Sequence, residues 1–230
     1  MREIFCFDGN FGGNFMSDTL LEIRQKIDKI DQALLDLIRQ RLSLSNEIAT
    51  VKSDGSPVYR PAREALLMHK LLVQIDNDFE KDVVIRLWRL LLASSVHRQK
   101  PKFKIISLRG LEKFTQEFSS NFLEHEQCQT EKDIIKKLLE NDAEIAFFPY
   151  SGLSKIGMHL GKKTGIYLNH KIDNVAIICK NMPEETGFDI SVFKSSNVLE
   201  TAIIEKPGFL AENNSKELVY IGAWVNLTSS

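Results

Sequence analysis

The sequence predicts a two-domain protein, with an all-α domain over residues 17–100 and an α/β or α+β domain over residues 101–230. Three observations predict it. Apolar residues first recur at alternating steps of three and four, which is typical of a long helix. Lys100-Pro101-Lys102 then has the character of a linker, because proline disfavours helix at the residue before it. After it, short runs rich in Ile, Val and aromatic residues alternate with helical segments.

The first helix is predicted to begin near Ser17-Asp18, which are good capping residues, and to end near Lys52. A helix of roughly 35 residues is about 50 Å long. A domain of this size cannot cover such a helix by itself, so the pattern predicts an obligate homodimer. The apolar stripe consists of Leu20, Ile23, Ile27, Ile30, Leu34, Leu37, Leu44, Ile48 and Val51.

Two shorter helices complete the all-α domain. Asp54-Gly55-Ser56-Pro57 is a break, and Pro61 suits the first position of the helix that follows. A second break at Asp76-Asn77-Asp78 precedes the third helix, which is predicted from about Glu80 to Gln99.

The second half is predicted to hold strands and two helices. Thr130 and Asp133 occupy the positions of a capping box, which favours a helix from that point. The predicted strands are 103–108, 144–148, 165–168, 174–180, 198–204 and 218–224, and the predicted helices are 111–122 and 130–140.

Composition limits the classes of partner and compartment. Hydrophobic residues make up 43% and charged residues 27%, as in globular proteins in water, and the net charge of -1 favours neither nucleic acid nor an acidic membrane as a partner. No stretch is apolar enough to span a bilayer. Three distant cysteines, Cys6, Cys128 and Cys179, fit reduced thiols in the cytoplasm.

The first residues differ from the rest. Residues 1–16 mix Phe with Gly and Asn, and Asp8 interrupts any apolar run of a signal peptide. We expect this segment to be a disordered N-terminal extension. A phosphate-binding loop at Gly12-Gly13 is disfavoured, because no strand precedes it and no lysine follows.

Arg41 interrupts the apolar stripe of the first helix. A guanidinium that faces a core is costly unless an anion meets it, so the position predicts a bound anion. Lys52 projects within roughly 20° of Arg41 on the same helix, whereas Arg24 points roughly 100° away. If Arg41 and Lys52 face the subunit's own pocket, Arg24 faces that of the partner.

Four further polar residues fit the same pocket. Ser95 and Gln99 are spaced i, i+4 on the third helix, and Arg63 and Glu64 lie in the first turn of the second. Together with the three cations, they predict a site for a small ligand with more than one negative group. Each residue also fits an ordinary role, as a surface cation, an intrahelical pair or a helix cap.

Residues 18–100 resemble the all-helical chorismate mutases, which are intertwined dimers of three helices per subunit. The resemblance lies in IRQKIDKIDQALLDLIRQR at 23–41, the lysine at 52, PVYRPARE at 57–64 and SSVHRQ at 94–99. Their order, spacing and placement on helices agree throughout the domain.

The resemblance implies a role for each candidate residue. Arg41 and Arg63 would hold the substrate carboxylates, with Ser95 in support, and Arg24 would reach a carboxylate from the other subunit. Lys52 and Gln99 would bond the ether oxygen of the breaking C–O bond. Glu64 would accept the hydrogen bond of the ring hydroxyl. Arg60 departs from the family, whose members often carry an acidic residue there.

The implied activity is the rearrangement of chorismate to prephenate, on the way to phenylalanine and tyrosine. This [3,3] shift needs no nucleophile, metal or proton transfer, so no cofactor is expected. Catalysis then consists of holding a compact conformer of the dianion and stabilising charge on the ether oxygen. Two alternatives remain: a non-catalytic module that binds an aromatic metabolite, and a lyase that releases pyruvate from isochorismate.

Residues 101–230 resemble a short, degenerate prephenate dehydratase. The Thr-Arg-Phe motif of active dehydratases is absent, so we expect this domain to be catalytically inactive. This domain has few candidate catalytic or metal-binding residues. His125 and Cys128 are three residues apart, but a zinc site needs further ligands, and none is expected here.

Overall fold

The computed structural model describes residues 13–51, 57–195, 202–211, 215 and 217–226. The chain divides into two compact units that meet between Thr50 and Val51. The sequence instead predicts a boundary near residue 100. The difference arises because the third helix shares a hydrophobic core with the sheet that follows it, and the second helix contacts two strands of the same sheet.

The described part of the first unit is one long helix, α1, which runs from Gly13 to Val51 and whose last residue belongs to the second unit. It begins earlier than Ser17, so residues 13–16, which were expected to be disordered, are helical, and residues 1–12 lie outside the described ranges. The predicted apolar stripe is exposed along most of the helix: Ile30 is 60% exposed and Leu37 is also 60% exposed.

Helices α2 (Pro61–Leu72) and α3 (Asp78–Gln99) open the second unit. Pro61 lies in the first turn of α2, which confirms the prediction for that residue. The side chain of Asn77 caps α3 by accepting hydrogen bonds from the backbone N–H groups of Phe79 and Glu80. This cap explains why α3 begins at Asp78.

Over the residues that the structure describes, the rest of the unit is one mixed eight-stranded sheet with three more α-helices. The parallel part is β2-β1-β3, and an antiparallel part continues it in the order β5-β4-β8-β6-β7, with β4 and β8 parallel to each other. The strands are β1 Lys104–Leu108, β2 Glu124–Cys128, β3 Ile145–Pro149, β4 Tyr167–Ile172, β5 Val175–Cys179, β6 Asp189–Ser195, β7 Ile203–Pro207 and β8 Leu218–Val225. The helices are α4 Glu112–Ser119, α5 Glu131–Leu139 and α6 Leu153–Ile156.

Side chains alternate between the two faces of the sheet. On β3, Ala146 and Phe148 belong to the core cluster that also contains α5 and α6, while Ile145 and Phe147 belong to the other. The second cluster includes Ala93 of α3 and residues of α4. Both faces are thus covered, and α3 is one of the elements that cover the second face.

Two strands were not predicted from the sequence. β2 is an edge strand with the sequence EHEQC, whose side chains are mostly polar, so it has no apolar alternation to detect. β6 lies within an unpredicted stretch after Gly187. The predicted strand at 198–204 corresponds to β7, which is described from Ile203, and residues 196–201 lie outside the described ranges. The capping box at Thr130 and Asp133 is confirmed.

Gly222 allows β8 to lie beside β4, because it pairs with Leu168 where these two strands meet. A Cβ at Gly222 would lie 2.1 Å from the carbonyl oxygen of Leu168, and the φ angle is +151°. We expect Gly222→Ala to lower the free energy of unfolding by about 2 kcal/mol, as measured by urea denaturation. Gly110→Ala is the control: φ there is +95°, but no atom lies within 4 Å of the added Cβ. Equal effects of the two substitutions would contradict the steric explanation.

His170 makes the stability of the fold depend on pH. Its Nδ1 is buried and has no hydrogen-bond partner among the described residues. Burial, with a smaller contribution from the charge of Arg89, lowers its pKa to about 4. The unfolded chain takes up the proton near pH 6.5, so lowering the pH from there to about 4 favours unfolding. We expect a loss of unfolding free energy on the order of 2 kcal/mol across this window. Urea denaturation of His170→Gln should show a smaller slope with pH, whereas His159→Gln, at an exposed position, should not.

Candidate active site

Arg24 and Arg41 lie on α1, in the first compact unit. Arg24 is exposed and Arg41 is partly buried. The backbone carbonyl of Arg41 accepts a hydrogen bond from Ser45 Oγ at 3.1 Å. Seventeen residues of helix separate the two arginines by about 25 Å, which is too far for both to bind one small molecule from the same subunit.

Lys52, the predicted partner of the ether oxygen, belongs to residues 52–56, which lie outside the described ranges. The other four predicted residues lie in the second unit, on α2 and α3. The structure therefore describes six of the seven predicted site residues, in two separate groups.

Arg63 and Glu64 occupy the first turn of α2, as predicted, and their surroundings differ. Arg63 is exposed to solvent. Glu64 has a side chain that is only 13% exposed, and its Oε2 lies 3.6 Å from the guanidinium of Arg89 on α3. Arg89 also lies over the ring of Phe118, 4.9 Å from its centroid. The carboxylate of Glu64 is thus held by a cation that the sequence analysis did not identify.

Ser95 and Gln99 lie one helical turn apart on α3. Ser95 is buried, and its hydroxyl donates to the carbonyl of Leu91 at 2.7 Å. The amide nitrogen of Gln99 donates to the carbonyl of Ser95 at 3.2 Å. The Oε1 atom of Gln99 is buried and has no hydrogen-bond partner within the described part of the chain. Gln99 therefore has hydrogen-bonding capacity left for a ligand, and Nε2 carries a second hydrogen.

The structure brings these four residues onto one pair of helices but does not point them all the same way. Arg89, which holds Glu64, is six residues before Ser95, and this spacing turns the two side chains about 120° apart around α3. Glu64 is therefore directed to a different side of α3 from Ser95 and Gln99.

Arg89 and Arg60 are the cations that sequence reasoning missed. Arg60 lies at the N-cap of α2 and donates from Nε and Nη2 to the two carboxylate oxygens of Glu184, at 2.9 Å each. A signal for Arg60 was present in the sequence, since members of the family that the chain resembles often carry an acidic residue at this position. Arg89 lies among the apolar residues of α3 without periodicity that would single it out.

Over the described ranges, no three His, Cys, Asp or Glu side chains are grouped so that they could hold a metal ion. His125 is exposed on β2, with Nε2 3.2 Å from Ser107 Oγ, and Cys128 is buried. Burial raises the pKa of the Cys128 thiol, which makes it a weaker nucleophile at neutral pH.

None of the described helices has the length and apolar character needed to cross a membrane.

Comparisons with known proteins give the family of the helical region. The family model described as chorismate mutase type II matches residues 23–100. A chorismate mutase of Methanocaldococcus jannaschii is 31% identical over 87 residues, which is 37% of this chain and 88% of that protein. The chain belongs to the type II chorismate mutase family. All seven predicted site residues lie within the region that matches the chorismate mutase model.

Longer proteins contain a similar region. A bifunctional chorismate mutase/prephenate dehydratase of Aquifex aeolicus is 24% identical over 142 residues, which is 57% of this chain and 39% of that protein. This chain therefore spans well under half the length of that relative. Among solved structures, one described as GqqA, a novel type of quorum quenching acylase, has a TM-score of 0.37 and 9% identity, over 54% of this chain and 95% of that chain.

Proposed function

We propose that this protein is a chorismate mutase that converts chorismate to prephenate in the biosynthesis of phenylalanine and tyrosine. One observation carries the proposal: the region matching the family model contains every residue that such a site requires. These residues are Arg24, Arg41, Lys52, Arg63, Glu64, Ser95 and Gln99.

The residue types match the chemistry of the reaction. Chorismate is a dianion whose two carboxylate-bearing arms must come together before a C–C bond forms and the C–O bond breaks. Arginine binds carboxylates through two parallel hydrogen bonds, which fixes the geometry of the substrate as well as its charge. Arg41 and Arg63 take this role, and Ser95 supports a carboxylate.

The transition state places negative charge on the ether oxygen. Lys52 supplies a compact positive charge there, and Gln99 supplies an amide N–H. The hydrogen bond from Gln99 Nε2 to the carbonyl of Ser95 uses one of the two amide hydrogens, and the second hydrogen supports this role as a donor. Glu64 accepts the hydrogen bond of the ring hydroxyl, since a carboxylate can accept more than one hydrogen bond.

A homodimer completes the proposed site. The exposed apolar stripe of α1 supports it, because a stripe of this length is stable in water when a second subunit covers it. In the dimer, Arg24 reaches the carboxylate of a substrate held by the other subunit. The 25 Å spacing from Arg41 supports this arrangement, since the same subunit cannot supply both arginines to one substrate.

The second half is proposed to be a non-catalytic relative of prephenate dehydratase. The similarity to the Aquifex aeolicus protein covers 57% of this chain, more than residues 1–100 can supply, so it extends into this half. The buried free thiols of Cys128 and Cys179 support a cytoplasmic location.

Product analysis tests the proposed activity. Purified protein is mixed with chorismate, the loss of chorismate absorbance is followed, and acid then converts prephenate to phenylpyruvate for detection. We expect one phenylpyruvate for each chorismate consumed, and no pyruvate. Turnover of isochorismate with release of pyruvate would instead identify the lyase. Binding of chorismate without turnover would identify a non-catalytic module.

A further inference from the structure

The N-terminus of α2 contacts a residue that lies far away in the sequence. Arg60 and Glu184 are 124 residues apart and form a bidentate ion pair, with both N···O distances at 2.9 Å. Glu184 lies in the loop between β5 and β6. This loop of the sheet therefore contacts the residue that begins α2.

Tyr59, the residue before Arg60, packs this N-terminus into the hydrophobic core. Tyr59 is 4% exposed, and its ring packs edge-on against Phe103 and Phe118 at centroid distances of 6.3 and 6.0 Å. Burial raises the pKa of Tyr59 well above its ordinary value, so the phenol stays neutral. Tyr59 fixes the position of the chain, and the ion pair of Arg60 fixes its direction.

The first turn of α2 depends directly on Arg60. The side chain of Arg60 does not cap the helix, but its carbonyl accepts the backbone N–H of Glu64 at 3.1 Å. A shift of Arg60 therefore shifts the turn that carries Arg63 and Glu64. Glu184 is the residue that holds the guanidinium of Arg60 in place.

We propose that Glu184 is a positioning residue for the mutase site, acting through Arg60 on the turn that presents Arg63 and Glu64. The inference rests on the proposed function. It gives the appended sheet a role, since the sheet supplies a part of the support for substrate binding that the helices lack. It also explains why an arginine at position 60 is compatible with the site: its charge is taken up by Glu184 and is not directed at the substrate.

The expected effect is moderate, because both side chains are partly exposed, at 39% and 42%. We expect Glu184→Gln to raise KM for chorismate about threefold to tenfold and to leave kcat within about twofold. Arg60→Gln should give a similar change, and the double variant should be no worse than either single one. The matched control is Glu185→Gln, at the exposed neighbouring position, which should behave like the wild type.

Hydrogen exchange separates this inference from the proposed function. The backbone amides of residues 57–72 are expected to exchange faster in Glu184→Gln than in wild type or in Glu185→Gln, whether or not chorismate is turned over. If the wild type does not convert chorismate, the proposed function fails. Faster exchange in Glu184→Gln would still show that the ion pair stabilises the start of α2. If Glu184→Gln and Glu185→Gln have the same KM for chorismate and the same exchange rates of these amides, Glu184 is not a positioning residue.

Discussion

Replacement of Lys52 by alanine is expected to lower kcat for chorismate by about 100-fold or more. The ammonium group is the compact positive charge proposed to stand against the ether oxygen, where charge develops only as the C–O bond breaks. Its loss therefore affects the transition state more than the bound substrate, and KM should change less than kcat. Steady-state kinetics on the purified variant, with its folding checked by circular dichroism, measure both constants.

Lys26→Ala is the matched control for this substitution. Lys26 is an exposed lysine of α1 and has no proposed contact with substrate. It should retain kcat within about twofold, as expected for a surface substitution. Near wild-type kcat in Lys52→Ala would contradict the assignment of Lys52 to the ether oxygen.

Replacement of Arg41 by leucine is expected to separate activity from stability. Leucine continues the apolar stripe, so the proposed dimer should unfold at the same temperature as wild type or at a higher one. The substrate carboxylate would lose its bidentate partner, and kcat/KM should fall by about 100-fold. Thermal unfolding at fixed protein concentration, together with steady-state kinetics, measures the two effects.

Arg39→Leu is the control for Arg41→Leu, because it places the same residue two positions away on α1. Arg39 is exposed and pairs with Asp36 at 3.5 Å on the surface of the helix. Its loss should leave kcat/KM within about twofold. If Arg41→Leu lowers the unfolding temperature and keeps full activity, Arg41 has a structural role and does not bind the substrate.

The parts of the fold that depend on local signals were predictable from the sequence. Pro61 and the capping box at Thr130 define helix starts that the structure confirms. The strand β2 was not predictable, because an edge strand with polar side chains has no apolar alternation. The boundary near residue 100 was also predicted without knowledge of the contacts by which α2 and α3 pack on the sheet.

The candidate site divides in the same way. The cation in the stripe at Arg41 and the i, i+4 pair of Ser95 and Gln99 follow from helical periodicity, which the sequence contains. The partners of Glu64 and Arg60 cannot be predicted from helical periodicity. Arg89 approaches Glu64 from a second helix, and Glu184 approaches Arg60 from a loop 124 residues away. Contacts of this kind depend on the order of strands in the sheet, and a single sequence does not specify that order.

The claim that two subunits build one site around Arg41 is tested most directly by complementation. Arg24→Ala and Arg41→Leu are co-expressed with different affinity tags, and the heterodimer is purified on both tags. One of its two sites then receives Arg41 from one subunit and Arg24 from the other, so the heterodimer should recover about half of the wild-type kcat. A heterodimer as inactive as either parent, or failure to obtain one at all, would contradict the account.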